Sequence, residues 1–250
     1  MIKYLREADI KQLLTMDIAL EWTARALRDR AMGDAVDIPR VRTHIPQGIQ
    51  HILQAAAPKL GYIGFKNYYT RPTGKTFFVQ LIDIESAKLK AIIEAVWMSM
   101  VRTGAASGIA TQALANADAG VVGQIGAGFQ GMGQLEAVCA VRKITKAQVY
   151  SRSRDKLVAF CETMSKKLGI PVEPADTAKA AVRGSDIINV ITKSATPVLE
   201  GKWLESGQHI NAAGSNALNR AEIDEETVER CNLVTVDARA TAQAECGDLY

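Results

Sequence analysis

The stretch Val121-Val122-Gly123-Gln124-Ile125-Gly126-Ala127-Gly128-Phe129-Gln130-Gly131 limits the possible folds more than any other part of the chain. A short apolar run, read as a strand, meets Gly126-x-Gly128-x-x-Gly131. A helical pattern follows through Met132, Leu135, Val138, Cys139 and Val141. In a dinucleotide site each glycine has a task. Gly126 permits the tight strand-to-helix turn, Gly128 lets a pyrophosphate approach the backbone, and Gly131 lets the helix pack closely on the sheet. The phosphates then meet the unpaired N–H groups and the positive dipole end of the helix. Such a motif alone is weak, because glycine loops also serve turns. Here Lys146–Ser151 reads as a second strand at the expected distance.

That second strand ends in Ser151-Arg152-Ser153-Arg154, with no carboxylate before Asp155. An NAD site usually places an acid there for the ribose 2′-hydroxyl, whereas a 2′-phosphate calls for arginine and hydroxyl donors. Two hydroxyls and two guanidiniums predict NADP(H) as the preferred cofactor, with NAD(H) the alternative.

Residues 7–32 read as one helix, with Leu13, Leu14, Ile18, Ala19, Trp22, Ala26 and Leu27 forming a core-facing stripe. From Arg40 to Val96 the pattern shifts to β-type runs at Arg40–Ile45, Gln50–Ala57, Tyr62–Tyr69, Thr76–Ile82 and Lys88–Val96, a meander of about five mostly antiparallel strands. Trp97–Asn116 reads as a long helix connecting two domains. Beyond it, strands alternate with helices: Asp155–Leu168 and Thr177–Arg183 as helices, Ser185–Thr192 and Gln208–Ala213 as strands, Asp224–Cys231 as a helix and Leu233–Val236 as a last strand. This alternation predicts an α/β fold with a Rossmann-type doubly wound parallel sheet. The expected organisation is an N-terminal α+β domain over residues 1–116 and a dinucleotide-binding domain over 117–250.

Ligands of such sheets lie beyond the carboxyl ends of the strands. Thr192-Lys193-Ser194 and Gly214-Ser215-Asn216 follow strand runs and are placed to face the cofactor. In the β-rich part the candidates are the cations Arg40, Lys66 and Arg102. His44, His51 and His209 lack a metal-ligand spacing, so no metal site is expected. A net charge of +3 without a clustered basic run does not imply nucleic acid. No apolar stretch reaches the roughly 18 residues of a membrane span, and no signal pattern opens the chain. The cysteines Cys139, Cys161, Cys231 and Cys246 have no paired spacing and suit free thiols. A cytoplasmic protein is therefore expected.

Several motifs together resemble the ornithine cyclodeaminase and mu-crystallin family of ketimine reductases and amino-acid dehydrogenases. They are Tyr62-Ile63-Gly64-Phe65-Lys66, Val101-Arg102-Thr103-Gly104-Ala105-Ala106, Ile125–Gln130, Ser185-Asp186-Ile187-Ile188 and His209-Ile210-Asn211-Ala212-Ala213-Gly214. The resemblance covers essentially the whole chain. It implies an N-terminal substrate and dimerisation domain, hence a homodimer, followed by the nucleotide-binding domain. Arg40, Lys66 and Arg102 would hold a substrate α-carboxylate, and Arg102 would also reach toward the cofactor. Phe129 and Gln130 match positions at the pyrophosphate, Thr192 one near the nicotinamide half, and Ala213, Gly214 and Ser215 complete the cofactor set.

Three departures separate the chain from the cyclodeaminase pattern. Asn216 stands where that enzyme has a proton-transferring acid, and an amide cannot titrate. His51 stands where it has Glu, and Ser151-Arg152 where its second strand ends in Asp. The family also continues well beyond Glu245–Tyr250, with a segment that completes the sheet. The expectation is an NADP-dependent oxidoreductase that reduces a carboxylated ketimine, or oxidises the matching amino acid, with Lys66, Arg102 and Asn216 at the chemistry. The alternatives are an NAD-dependent ornithine cyclodeaminase and a non-catalytic dinucleotide or small-ligand binder.

Overall fold

Strand residues alternate between turn residues in the first part of the chain, and the outcome is a six-stranded sheet. A computed structural model describes residues 1–250. Strand β1 (Lys3–Leu5) precedes helices α1 (Glu7–Leu13) and α2 (Met16–Ala31). Then come β2 (Val36–Ile45), β3 (Gly48–Ala57), β4 (Tyr62–Arg71), β5 (Gly74–Asp83) and β6 (Leu89–Glu94). The sheet order is β1-β6-β5-β4-β3-β2. Strands β2 to β6 form the expected antiparallel meander. The sixth strand, β1, pairs parallel with β6 and is too short to carry a periodic signal.

The helix expected over residues 7–32 is two helices. Thr15 breaks it: its hydroxyl accepts from the Ile18 N–H at 3.4 Å and starts a new N-terminus. The stripe assigned to the core is also mostly uncovered. Met16 and Ala19 are buried, but Leu13, Ile18 and Trp22 are 61%, 39% and 47% exposed. Periodicity identifies an apolar stripe without saying what covers it. Ile10 of α1 packs with Ala91 and Ile93 of β6. Helix α3 (Val96–Leu114) begins where the Glu7 carboxylate accepts from the N–H groups of Val96 and Trp97. An acid there satisfies donors that a helix start leaves open.

The second part is a parallel sheet wound by helices. It comprises β7 (Val121–Ile125), α4 (Phe129–Val141), β8 (Lys146–Tyr150), α5 (Arg154–Leu168), β9 (Val172–Pro174) and α6 (Ala178–Val182). It continues with β10 (Ile187–Val190), β11 (His209–Ala212), α7 (Glu225–Glu229) and α8 (Arg239–Glu245). The order β11-β10-β7-β8-β9 is parallel throughout, so the winding reverses between β7 and β10. Val122, Leu135, Val138, Val149, Leu157, Phe160 and Met164 form its largest core cluster. The expected last strand at Leu233–Val236 is absent. Those residues pair with no strand, and Leu233, Val234 and Val236 stay exposed. Strand preference in Leu-Val-Thr-Val needs a sheet edge before it becomes structure.

A row of buried amides crosses this sheet. Gln124, Asn189 and Asn211 face one another in register on β7, β10 and β11. Asn189 Nδ2 donates to Gln124 Oε1 at 3.3 Å, and Asn211 Nδ2 donates to Asn189 Oδ1 at 3.0 Å and to Thr111 Oγ1 of α3 at 2.9 Å. His209 Nε2 lies 3.1 Å from Asn211 Oδ1. By its contacts the chain divides into two units, Met1–Ser99 and Met100–Tyr250. This division falls inside α3, whereas the sequence reading ended the first domain at residue 116. From residue 100 onward α3 packs closely against α4, where a Cβ on Gly104 would stand 2.1 Å from Gly133 O. No helix is long and apolar enough to cross a membrane.

Candidate functional site

The glycine loop joins β7 to α4, and its three glycines serve distinct physical ends. Gly126 has φ +120°, and a Cβ there would lie 2.2 Å from Ile191 O. At Gly131 a Cβ would meet Gly126 O at 2.7 Å and Gln124 Nε2 at 2.9 Å, so helix and strand touch here. Gly128, the N-cap of α4, has nothing within 4 Å of a Cβ position. Its exposed backbone is thus approachable from outside, at the start of a helix whose first amides favour an anion. The residues fit a dinucleotide pyrophosphate. Phe129 and Gln130 form the first residues of α4, with Phe129 exposed.

Gln124 holds this loop from beneath. Its Nε2 donates to Gly126 O at 2.9 Å and to Gly131 O at 3.2 Å. Sequence reading passed over it, although a polar residue inside an apolar strand run is itself a signal of a hydrogen-bonded interior amide.

At the end of β8, Ser151 is half-buried and Arg152 and Ser153 are exposed. Ser153 is the N-cap residue of α5 but makes no side-chain capping bond. Arg154 forms an exposed ion pair with Asp176 at 3.3 Å. On the other side of the switch point, Thr192 follows β10, and Ala213, Gly214, Ser215 and Asn216 follow β11. Ser215 Oγ donates to Arg220 O at 2.7 Å, while Asn216 is exposed. The backbone N–H and the hydroxyl of Thr192 both donate to Glu222 Oε1. Glu222 is fully buried, and burial raises its pKa against the lowering effect of the Thr192 hydrogen bonds. Sequence reading missed Glu222. The alternation Ala221-Glu222-Ile223 looks like an ordinary surface turn until the fold turns it inward.

The first unit gathers a second group of residues. In register across β3, β4 and β5, the rings of His51, Tyr68 and Phe77 stack, with centroids 4.2 and 4.5 Å apart. Two of the predicted cations flank the stack. Arg40 donates to Tyr68 Oη. Lys66 Nζ donates to Ser99 Oγ at 2.7 Å and lies 5.4 Å from the Tyr68 ring centroid and 5.1 Å from that of Phe77. Residues 66 and 68 share a face because strand side chains alternate. The third cation, Arg102, is exposed on α3 in the second unit.

His51 is buried, and its pKa is lowered from 6.5 to about 4, first by burial and then by the charges of Arg40, Arg42 and His44. Its Nε2 is 3.3 Å from Thr70 Oγ1, whose hydroxyl donates to Ile49 O. That assigns the proton to Nε2 and leaves Nδ1 as a buried acceptor without a hydrogen-bond partner. All four cysteines are free thiols, and burial raises their pKa values, Cys139 to about 12 and Cys161 to about 11. They are poor nucleophiles at neutral pH.

Two predictions follow from these geometries. Gly128→Ala should leave thermal stability unchanged but weaken dinucleotide binding about tenfold or more, because the methyl group stands where the pyrophosphate approaches. Gly131→Ala should instead destabilise the fold by about 1–3 kcal/mol through overpacking. Calorimetry and fluorescence titration of both variants separate the two outcomes; equal behaviour would refute the assignment of tasks.

The second concerns pH. The folded chain keeps the His51 ring neutral while the unfolded chain titrates near 6.5, so stability at His51 is complete above 6.5 and lost as pH falls toward about 4. His51→Gln should lack that component. Urea midpoints of the two proteins between pH 7 and pH 4 test it, and parallel curves would contradict it.

Comparison with known proteins gives a consistent picture. The sequence pattern of the ornithine cyclodeaminase/mu-crystallin family matches residues 3–249. The chain is 33% identical over 250 residues to a Delta(1)-pyrroline-2-carboxylate reductase of Bacillus cereus, covering 96% of this chain and 76% of that protein. The structure of the Thermococcus litoralis Delta(1)-pyrroline-2-carboxylate reductase in complex with NADH and L-proline superposes with a TM-score of 0.95 at 33% identity, covering 100% of this chain and 79% of that one. An archaeal alanine dehydrogenase dimer with bound NAD gives 0.91 at 28% identity, covering 98% and 77%.

Proposed function

For this chain, which belongs to the ornithine cyclodeaminase/mu-crystallin family, we propose the activity of an NAD(P)-dependent oxidoreductase that reduces a ketimine bearing an α-carboxylate, or oxidises the corresponding amino acid. The observation that carries the substrate class is the meeting of Arg40 of β2 and Lys66 of β4 at one ring, Tyr68. Two cations beside a neutral histidine suit a carboxylate, which both can bind with charge-assisted hydrogen bonds. The resemblance to the family implies that Arg102 also binds the carboxylate.

The glycine loop, Phe129 and Gln130 would hold the pyrophosphate, with Ser151, Arg152, Ser153 and Arg154 at the adenosine ribose and Thr192, Ala213, Gly214 and Ser215 at the nicotinamide half. A bound nicotinamide cofactor supplies hydride chemistry. The protein orients the imine: Arg40 and Arg102 grip the carboxylate, and Lys66 is the proton source for the imine nitrogen. Asn216 offers an amide to that nitrogen without titrating. This set favours reduction of a preformed ketimine over deaminating cyclisation, which needs a group that exchanges protons where Asn216 stands.

The test is cofactor oxidation against cyclic ketimines and mixtures of 2-oxo acids with amines. Turnover is expected only for substrates carrying the carboxylate, and loss of that preference would refute the clamp. NADPH should bind more tightly than NADH, and Arg152→Ala should remove most of the gap, about ten- to a hundredfold for one charge-assisted hydrogen bond. Equal affinities of the unmodified protein for both cofactors would refute the NADP reading.

We also propose a homodimer formed through the first unit. Leu13, Ile18 and Trp22 on α1 and α2 are exposed, as are Val36, Ile38, Val41 and Ile45 on the edge strand β2. An edge strand bearing apolar side chains is a liability unless something covers it. Sedimentation should give a dimer, and Val41→Glu combined with Trp22→Glu should shift it to monomer. A monomeric unmodified protein would contradict this.

A further inference from the structure

The loops on the β10–β11 side of the switch point are joined by one fully buried side chain. Glu222 accepts the backbone N–H and the hydroxyl of Thr192, just past β10. Its other oxygen, Oε2, fills the space beside Gly214, just past β11, and lies 2.0 Å from where a Cβ at that glycine would stand. The carboxyl is thus bonded to the end of one strand and packed against the end of its neighbour.

Glu222 is itself held from behind. Its own N–H and that of Ile223 donate to Asp248 Oδ1 at 2.6 and 3.2 Å. A Cβ at Gly247 would stand 2.1 Å from Arg220 O, so the turn after α8 lies directly against the 217–223 loop. The backbone of Ile223 also bridges to Leu199 in a short parallel pairing. The carboxyl is thus held through Oε1 by Thr192, while the backbone of Glu222 is held by Asp248. Burying such a group is unfavourable unless its hydrogen bonds are made; here Oε1 takes two from Thr192, while Oε2 is buried without a hydrogen-bond partner.

We propose that Glu222 is a positioning residue for the nicotinamide half of a bound dinucleotide. It acts through Thr192 and Gly214 and does not touch the ligand. The placement follows from topology. The glycine loop lies after β7, the ribose-binding turn after β8, and the remaining half of a dinucleotide extends over β10 and β11. The inference rests on the dinucleotide reading of this site, and it adds a residue that neither the glycine motif nor the carboxylate clamp includes.

The test separates the two halves of the ligand. Calorimetric titrations compare NADPH with 2′-phospho-ADP-ribose, which lacks the nicotinamide. Glu222→Ala should weaken NADPH binding by about ten- to a hundredfold, the scale of lost hydrogen bonds to a charged group, and leave 2′-phospho-ADP-ribose within about twofold. Gly214→Ala, whose methyl displaces the Glu222 carboxyl, should reproduce that split and add little in the Glu222→Ala background. Should Glu222→Ala fail to fold, Glu222→Gln, which exchanges one oxygen for an amide nitrogen, reads the same split. Equal losses for both ligands, no loss, or full additivity of the two substitutions would overturn the role of Glu222 alone. Failure of the unmodified protein to bind any dinucleotide would overturn the proposed function as well.

Discussion

The amide row Gln124–Asn189–Asn211 is the interaction on which the second unit most depends. Each of the three side chains is buried, so each polar atom must find a partner or destabilise the fold. They find one another only if β7, β10 and β11 pair in one register. A slip of one residue in any of these strands would turn its amide to the other face of the sheet. At one end of the row Gln124 spends both N–H donors on the carbonyls of Gly126 and Gly131. At the other end Asn211 reaches Thr111 of α3. Sheet register, loop shape and helix placement are therefore specified by one chain of hydrogen bonds.

Glu222 extends the same logic to the carboxyl edge. The amide row sets where β10 and β11 lie, and the Glu222 carboxyl sets how their loops leave. The two devices differ in electrostatics. Neutral amides can be buried at little penalty once paired, whereas a buried carboxyl has its pKa raised and is sensitive to the quality of its partners. The first unit uses yet another device. Stacked rings from three neighbouring strands give Arg40 and Lys66 a flat, rigid support, and the ring of His51 stays neutral between cations.

Much of the fold was legible. Turn residues and alternation located β2 to β6 to within a few residues, because strand period and glycine or proline breaks are local properties. The glycine motif was legible for the same reason: positive φ at Gly126 and close approach at Gly131 are demands that few residue types meet. Lys66 could be singled out as a cation in an apolar strand pattern, and Arg40 as a cation at the start of a strand run. The approach of Arg40 to Tyr68 could not, since it depends on which strands pair and with what offset. Arg154 looked equivalent to Arg152, and only the fold places Asp176 beside it.

What the chain determined by itself is therefore what depends on neighbours in sequence: the strand and helix succession, the phosphate-ready helix start and the types of charge available. Three features were decided only in three dimensions. Leu233–Val236 has strand preference yet no strand, because a ladder needs a partner edge. Leu13, Ile18 and Trp22 have core periodicity yet remain exposed, because an apolar stripe does not specify its cover. Glu222 is an ordinary acid in sequence, and it becomes a buried clamp because Thr192, Gly214 and Asp248 reach it from segments on either side. Hydrogen bonds between distant segments carry no local signature, so their partners are set by tertiary packing.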